Sequence, residues 1–106
     1  MTKLTIMLAC AGGMSSSLLV TKMQAAAKDR GLDAEIFAVG ASAVPADVEK
    51  FHPDVVMLGP QIRYMFAPLS KKVAVPVAMI EMRDYGTMNG EKVLTAALAL
   101  IEKASA

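Results

Sequence analysis

Short runs of consecutive apolar residues alternate along this chain with stretches in which apolar positions recur every third or fourth residue. Residues 3–8 (Lys3-Leu4-Thr5-Ile6-Met7-Leu8) have the pattern of a buried strand, followed closely by the glycine pair Gly12-Gly13. Residues 15–30 predict a helix, with Leu18, Leu19, Met23 and Ala26 on its inner face and Lys22, Lys28 and Arg30 outside. Lys28 and Arg30 suit the negative end of the helix dipole, and Gly31 is a natural stop after them. Residues 34–39 form a second strand ending at Gly40. A short helix then begins near Ser42, with Pro45 in its first turn and Val44, Val48 and Phe51 facing inward. Residues 55–58 are a third strand, halted at Gly59-Pro60. Residues 61–73 have a helical pattern in which Pro68 predicts a break near Ala67. Residues 75–80 supply a fourth strand and 81–88 an irregular segment. Asn89 then caps a last helix that runs to about Lys103, with Val93, Leu94, Ala97, Leu98 and Ile101 on one face.

Strand–helix alternation with continuously apolar strands implies a parallel sheet covered on both faces. The fold class is therefore α/β: a single small open four-stranded parallel sheet with right-handed crossovers and helices on both faces. The simplest doubly wound order is 2-1-3-4, reversing between the first and third strands. No repeat, linker or composition break divides the 106 residues, so residues 1–106 are expected to be one domain. Ligands of such sheets bind at the carboxyl ends of the strands beside the reversal. Residues 10–17, 59–61 and 81–86 are expected to meet there.

Composition removes several functions. Lys and Arg number 11 against 10 acidic residues, a net charge of +1, so there is no basic field for nucleic acid. The aromatic residues are only Phe37, Phe51, Phe66, Tyr64 and Tyr85, too few for a base-stacking platform. One cysteine and one histidine cannot make a disulfide, a zinc site or a Cys-x-x-Cys pair, so no metal is expected. The phosphate loop of nucleotide enzymes and the Gly-x-Gly-x-x-Gly fingerprint are both absent, so no cofactor is expected either. Residues 4–21 carry no charge, but Gly12-Gly13 and Ser15-Ser16-Ser17 interrupt them and the apolar lead is only 4–9, too short to span a bilayer. Met7-Leu8-Ala9-Cys10 loosely resembles a lipoprotein cleavage box. Only nine residues with one Lys precede the cysteine, which leaves no room for an export signal, and the expected location is cytoplasmic.

The chemistry concentrates in Cys10-Ala11-Gly12-Gly13-Met14-Ser15-Ser16-Ser17, which joins the first strand to the first helix. Glycines let successive N–H groups turn inward as a concave nest for an anion. Ser15, Ser16 and Ser17 can cap the helix or donate to phosphate oxygens, and the positive end of the helix dipole favours a dianion. The same field favours a thiolate at Cys10, which is expected to lie just past the end of its strand. Small cysteine phosphatases have a loop of the form Cys-x5-Arg; here the arginine position is Ser16. The loop also holds no carboxylate or imidazole to activate water, which suits a carrier that must keep its phosphoryl group from hydrolysis. Arg83 or Lys22 could supply a cation from elsewhere. His52 belongs to the amino ends of the strands, roughly 15 Å from Cys10, and reads as an exposed turn residue. Read from the residues alone, three functions stay open: a phosphocysteine carrier, a small cysteine phosphatase or arsenate-reductase-like enzyme, and a binding module with a buried, unreactive cysteine.

Residues 10–20, from Cys10 through Leu18-Leu19-Val20, resemble the phosphocysteine loop of the IIB components of the bacterial phosphoenolpyruvate-dependent sugar phosphotransferase system, in its lactose/cellobiose branch, which includes the chitobiose enzymes. Leu58-Gly59-Pro60-Gln61-Ile62-Arg63-Tyr64-Met65 is similar to that branch's second signature, and Tyr85-Gly86 to the pair preceding its last helix. The segment Glu81-Met82-Arg83-Asp84 is more charged than the family pattern there. The resemblance implies that Cys10 takes a phosphoryl group from a phosphohistidine IIA protein. It then passes the group to a sugar held by the membrane IIC component, a β-linked disaccharide such as cellobiose or diacetylchitobiose. Ala11, Gly12, Gly13, Met14 and Ser15 to Ser17 would hold the phosphate, with Gln61 and Tyr85 at the site edge. Met7, Met57 and Met79 are expected in the core. Met14, Met65, Met82 and Met88 fall near the cysteine end, where some could form a pliable docking surface.

Overall fold

The computed structural model describes residues 3–11 and 14–105. Four parallel strands, β1 (Leu4–Cys10), β2 (Ala34–Gly40), β3 (Val55–Leu58) and β4 (Val77–Met79), form one sheet in the order β2-β1-β3-β4. This is the expected class and order. Helices α1 (Met14–Asp29) and α5 (Gly90–Ser105) cover one face, and α2 (Val44–Phe51) and α3 (Phe66–Lys72) the other. Turns of 3-10 helix precede α2 and α3, and a short helix α4 (Met82–Gly86) follows β4.

Alternation along each strand divides the core. Ile6, Leu8, Ile36, Val55 and Met57 pack with Leu19, Met23, Ala26, Leu94 and Ala97 of α1 and α5. Met7, Ala9, Val56 and Leu58 pack with Val44, Val48, Ile62 and Leu69 on the opposite side. β1 is paired on both edges and covered on both faces, which explains why its sequence is apolar without alternation. Its lower end is tied to β3 by a reciprocal pair: Thr5 N–H donates to the Asp54 carboxylate at 2.8 Å, and Asp54 N–H donates to the Thr5 carbonyl at 2.8 Å.

The layer of α1 and α5 closes because Gly90 has no side chain. A Cβ there would lie 2.6 Å from the Lys22 carbonyl carbon and 2.7 Å from the Met23 nitrogen. The Arg30 guanidinium then clasps the start of α5, donating to the Glu91 carboxylate at 2.6 Å, the Glu91 carbonyl at 3.0 Å and the Thr95 hydroxyl at 2.8 Å. Gly31, at φ 69°, ends α1 in the left-handed region where a glycine costs least.

Several expectations are corrected. Pro68 is the third residue of α3, where its missing N–H breaks no helical bond, so the irregularity lies earlier, in the 3-10 turn Pro60–Met65. β4 is shorter than expected, and as an edge strand it leaves Met79 exposed instead of in the core. Phe51 is also exposed, at the margin of the sheet, where its ring meets Phe37 edge-on with centroids 5.0 Å apart. Leu18 lies beyond the strands' ends and is exposed as well. Part of residues 81–88 is helical, because the Glu81 side chain accepts from the Arg83 N–H at 2.9 Å and so caps α4. Asn89 caps α5 as expected, accepting from Lys92 N–H at 3.0 Å.

Candidate functional site

Cys10 is the last residue of β1 and not a loop residue beyond it, because its backbone still pairs in register with Gly40 of β2. It is 8% exposed, and its thiol donates to the Val39 carbonyl at 3.7 Å. Alternation places it on the face of Ile6 and Leu8, beneath the start of α1. The first turn of α1 contains no acidic residue to offset the positive end of the helix dipole. Gly12 and Gly13 lie outside the described residues, as do the side chains of Met14, Ser15 and Ser16. Ala11 and Ser17 are exposed.

Both strands beside β1 reach the level of Cys10 as glycines. Gly40 is its register partner on β2. On β3, Ala9 pairs with Leu58 and Gly59 N–H donates to the Ala9 carbonyl at 2.9 Å, so Gly59 comes next to Cys10. Gly40 has φ −69° and Gly59 φ −64°, both open to any residue. What glycine supplies at these positions is the lack of a side chain. A Cβ on Gly40 would meet nothing within 4 Å. A Cβ on Gly59 would lie 3.1 Å from Gln61 Oε1, 3.6 Å from the Ala9 carbonyl oxygen and 3.8 Å from Tyr85 Cε2. Gln61 and Tyr85, distant in sequence, therefore converge over Gly59 beside the Ala9–Cys10 peptide.

A family model described as "PTS system, Lactose/Cellobiose specific IIB subunit" matches residues 5–96. The chain belongs to that family. It is thus a IIB phosphoryl carrier, a phosphotransferase component of sugar transport whose membership implies IIA and IIC partners. It is 50% identical over 98 residues to the PTS system cellobiose-specific EIIB component of Lactococcus lactis subsp. lactis, covering 87% of this chain and 91% of the relative. The galactose-specific EIIB component of Lactococcus lactis subsp. cremoris is 49% identical over the same shares. The oligo-beta-mannoside-specific EIIB component of Bacillus subtilis is 41% identical over 91% of this chain and 94% of its own length. Among solved structures, the cellobiose-specific IIB component of Borrelia burgdorferi superposes with a TM-score of 0.79 at 35% identity, covering 96% of this chain and 94% of that one. The lactose-specific IIB domain of Streptococcus pneumoniae gives the same TM-score at 17% identity, over 93% of this chain and 98% of that one, a likeness of fold.

The remaining candidates of this IIB chain fall elsewhere. Arg83 is exposed on α4. Lys22 lines a shallow groove of about 450 Å³ with Asp29, Thr87 and Glu91, beside the start of α5. A larger groove, about 720 Å³, lies at the amino ends of the strands, lined by Val48, Glu49, His52, Pro53, Lys72 and Val75 among others. A covalent carrier needs a reachable atom at a surface shared with its partners, so the larger groove does not compete with Cys10 for the chemistry. His52 is exposed as expected and ends α2 in a left-handed conformation, φ 50°. Among the described residues no helix is long and apolar enough to cross a membrane. Gly59 is at the site, as expected of residues 59–61; Gly40 escaped sequence reasoning, and the only trace of it was that the second strand stops at a glycine.

Proposed function

We propose that Cys10 carries the phosphoryl group between a phosphohistidine IIA protein and a sugar presented by the IIC component. The observation that carries this reading is the placement of the single cysteine at the carboxyl end of the central strand, under the start of α1 and between two positions without side chains. In the loading step the Cys10 sulfur forms a bond to phosphorus while the bond from phosphorus to the donor imidazole nitrogen breaks. The bonding pair stays on that nitrogen, and the thiol proton ends, in net, on the imidazole. In the second step a sugar hydroxyl oxygen forms a bond to phosphorus while the sulfur–phosphorus bond breaks; the bonding pair stays on sulfur, and the hydroxyl proton ends, in net, on that sulfur. Ala11, Gly12, Gly13, Met14 and Ser15 to Ser17 hold the phosphoryl oxygens through main-chain N–H groups and hydroxyls, with Gln61 and Tyr85 at the rim.

The partners dock at this end. Leu18, Tyr64 and Met82 are 49%, 75% and 63% exposed, and each follows the carboxyl end of a different strand. Such an apolar fringe suits association with successive partners. The site works in the cytoplasm, where a phosphohistidine donor is found. The sugar is a β-linked disaccharide such as cellobiose or diacetylchitobiose, a reading supported by the relatives named for cellobiose and oligo-beta-mannoside.

Intact-protein mass spectrometry after incubation with a phosphorylated IIA donor tests the carrier. The expected result is one phosphoryl group on Cys10 that blocks its alkylation, and none on a Cys10→Ser variant. Equal labelling of that variant would remove Cys10 from the mechanism, and steady release of inorganic phosphate would favour a phosphatase. Uptake assays with IIC and a panel of sugars test this: a strain that takes up only monosaccharides or α-linked disaccharides would overturn it.

A further inference from the structure

We infer that Gln61, held against Tyr85 in the gap above Gly59, is the side-chain hydrogen-bond donor that meets the phosphoryl group on Cys10 from the β3 side. The inference rests on Cys10 being the carrier and adds a residue to its site. Parallel neighbours in register point to the same face of a sheet and stand about 4.8 Å apart. Cys10 and Gly59 stand in that relation, so whatever fills the space above Gly59 borders whatever is attached to Cys10.

That space holds the end of the Gln61 side chain and the edge of the Tyr85 ring. Tyr85 packs against the core of the α1 and α5 layer, which fixes its ring as a wall. Among the described residues the Gln61 carboxamide has no hydrogen-bond partner, although its oxygen lies as close as 3.1 Å to where a Gly59 Cβ would stand. On the β2 side of Cys10 stands the Val39 carbonyl, which accepts from the thiol at 3.7 Å and has no N–H or O–H to give a phosphoryl oxygen. A phosphoryl dianion on the sulfur thus finds no donor on the β2 side and turns toward Gln61, whose Oε1 lies over Gly59. The Gln61 carboxamide, held by no hydrogen bond among the described residues, presents its N–H groups there after a half-turn about the last side-chain bond. Gly59 is glycine so that Gln61 can lie there, since its φ of −64° asks for nothing special.

The test follows Cys10 loading from a phosphorylated IIA donor in the wild type, Gln61→Ala, Gln61→Glu, Gly59→Ala and the Gly59→Ala/Gln61→Ala double variant, with thermal melting of each. Loss of one donor to a charged group is expected to slow loading of Gln61→Ala about tenfold to a hundredfold. Gln61→Glu, which sets a carboxylate against the dianion, is expected to be slower still. Melting stays at the wild-type midpoint for both, because the side chain is exposed. Gly59→Ala displaces Gln61 and slows loading several-fold, but adds nothing when Gln61 is already Ala, the non-additivity of residues acting through one contact. Wild-type loading rates in both Gln61 variants would overturn the inference and leave Cys10 as carrier. Equal slowing of the two with lowered melting would also overturn it, in favour of a packing role. A wild type that never loads would instead defeat the carrier reading beneath it.

Discussion

The two ends of the sheet are built by opposite means. At the amino end, polar atoms are matched: the Thr5–Asp54 pair joins β1 to β3 through side chain and main chain together. At the same end lies the groove of about 720 Å³, walled by proline, valine and charged side chains. At the carboxyl end, side chains are withheld. Gly40 leaves the β2 flank of Cys10 bare, Gly59 leaves room on the β3 flank for Gln61 and Tyr85, and Leu18, Tyr64 and Met82 face solvent. The contrast teaches that a reactive position can be specified by what its neighbours lack, and that the deeper cavity need not be the working one.

The contrast can be broken first at Gly90, outside both ends. Gly90→Ala puts a methyl group against the Lys22 and Met23 backbone, which cannot rotate away. The expected loss is about 2–3 kcal/mol by urea denaturation, with Cys10 loading unchanged well below the melting midpoint. An unchanged urea midpoint would mean that α1 and α5 are not held as closely as described.

At the amino end, Asp54→Ala leaves the Thr5 N–H unsatisfied. It should cost about 1–2 kcal/mol in the same measurement while leaving the loading rate alone. A large fall in loading at full stability would couple the two ends. His52→Gly should act in the other direction, raising stability by about 0.5–1 kcal/mol, because the position is left-handed and glycine adopts it without a Cβ penalty.

The smallest stability effect is expected at Gly40→Ala, where the backbone is ordinary and the space is empty. A gain of a few tenths of a kcal/mol, about 0.4, is expected from the stiffer unfolded chain. The methyl group nevertheless narrows the flank of Cys10, so loading should slow several-fold. A variant both more stable and slower sharpens the comparison; one equally fast would show that the β2 flank is not used.

Much of this was legible in advance because strand burial and helix capping write themselves into local pattern. β3 was readable to the residue, since Val55–Leu58 is uniformly apolar and bounded by Asp54 and Gly59-Pro60. β4 was overrun because residues 75 and 76 are as apolar as the strand, while pairing begins only at Val77 and Pro76 has no N–H to offer. Met79 is expected in the core because it falls in a strand, although the predicted strand order already puts that strand at the edge. The loop beginning at Cys10 announced itself by adjacent glycines and serines. Gly40 did not, because it reads as an ordinary strand stop until interstrand register aligns it with the cysteine; Gly59 was expected at the site with residues 60 and 61, but not as the in-register neighbour of Cys10. Likewise, only tertiary packing brings Gln61 and Tyr85 over one α-carbon.

Cys10 closes a strand that is hydrogen-bonded along both edges over its upper half, in the part of a domain that opens last. The sulfur's anchor point therefore stays put while surface segments adjust to a donor and then to an acceptor. Each visitor finds the target at the same coordinates, so accuracy of delivery is inherited from the most persistent element of the molecule and need not be rebuilt at every encounter.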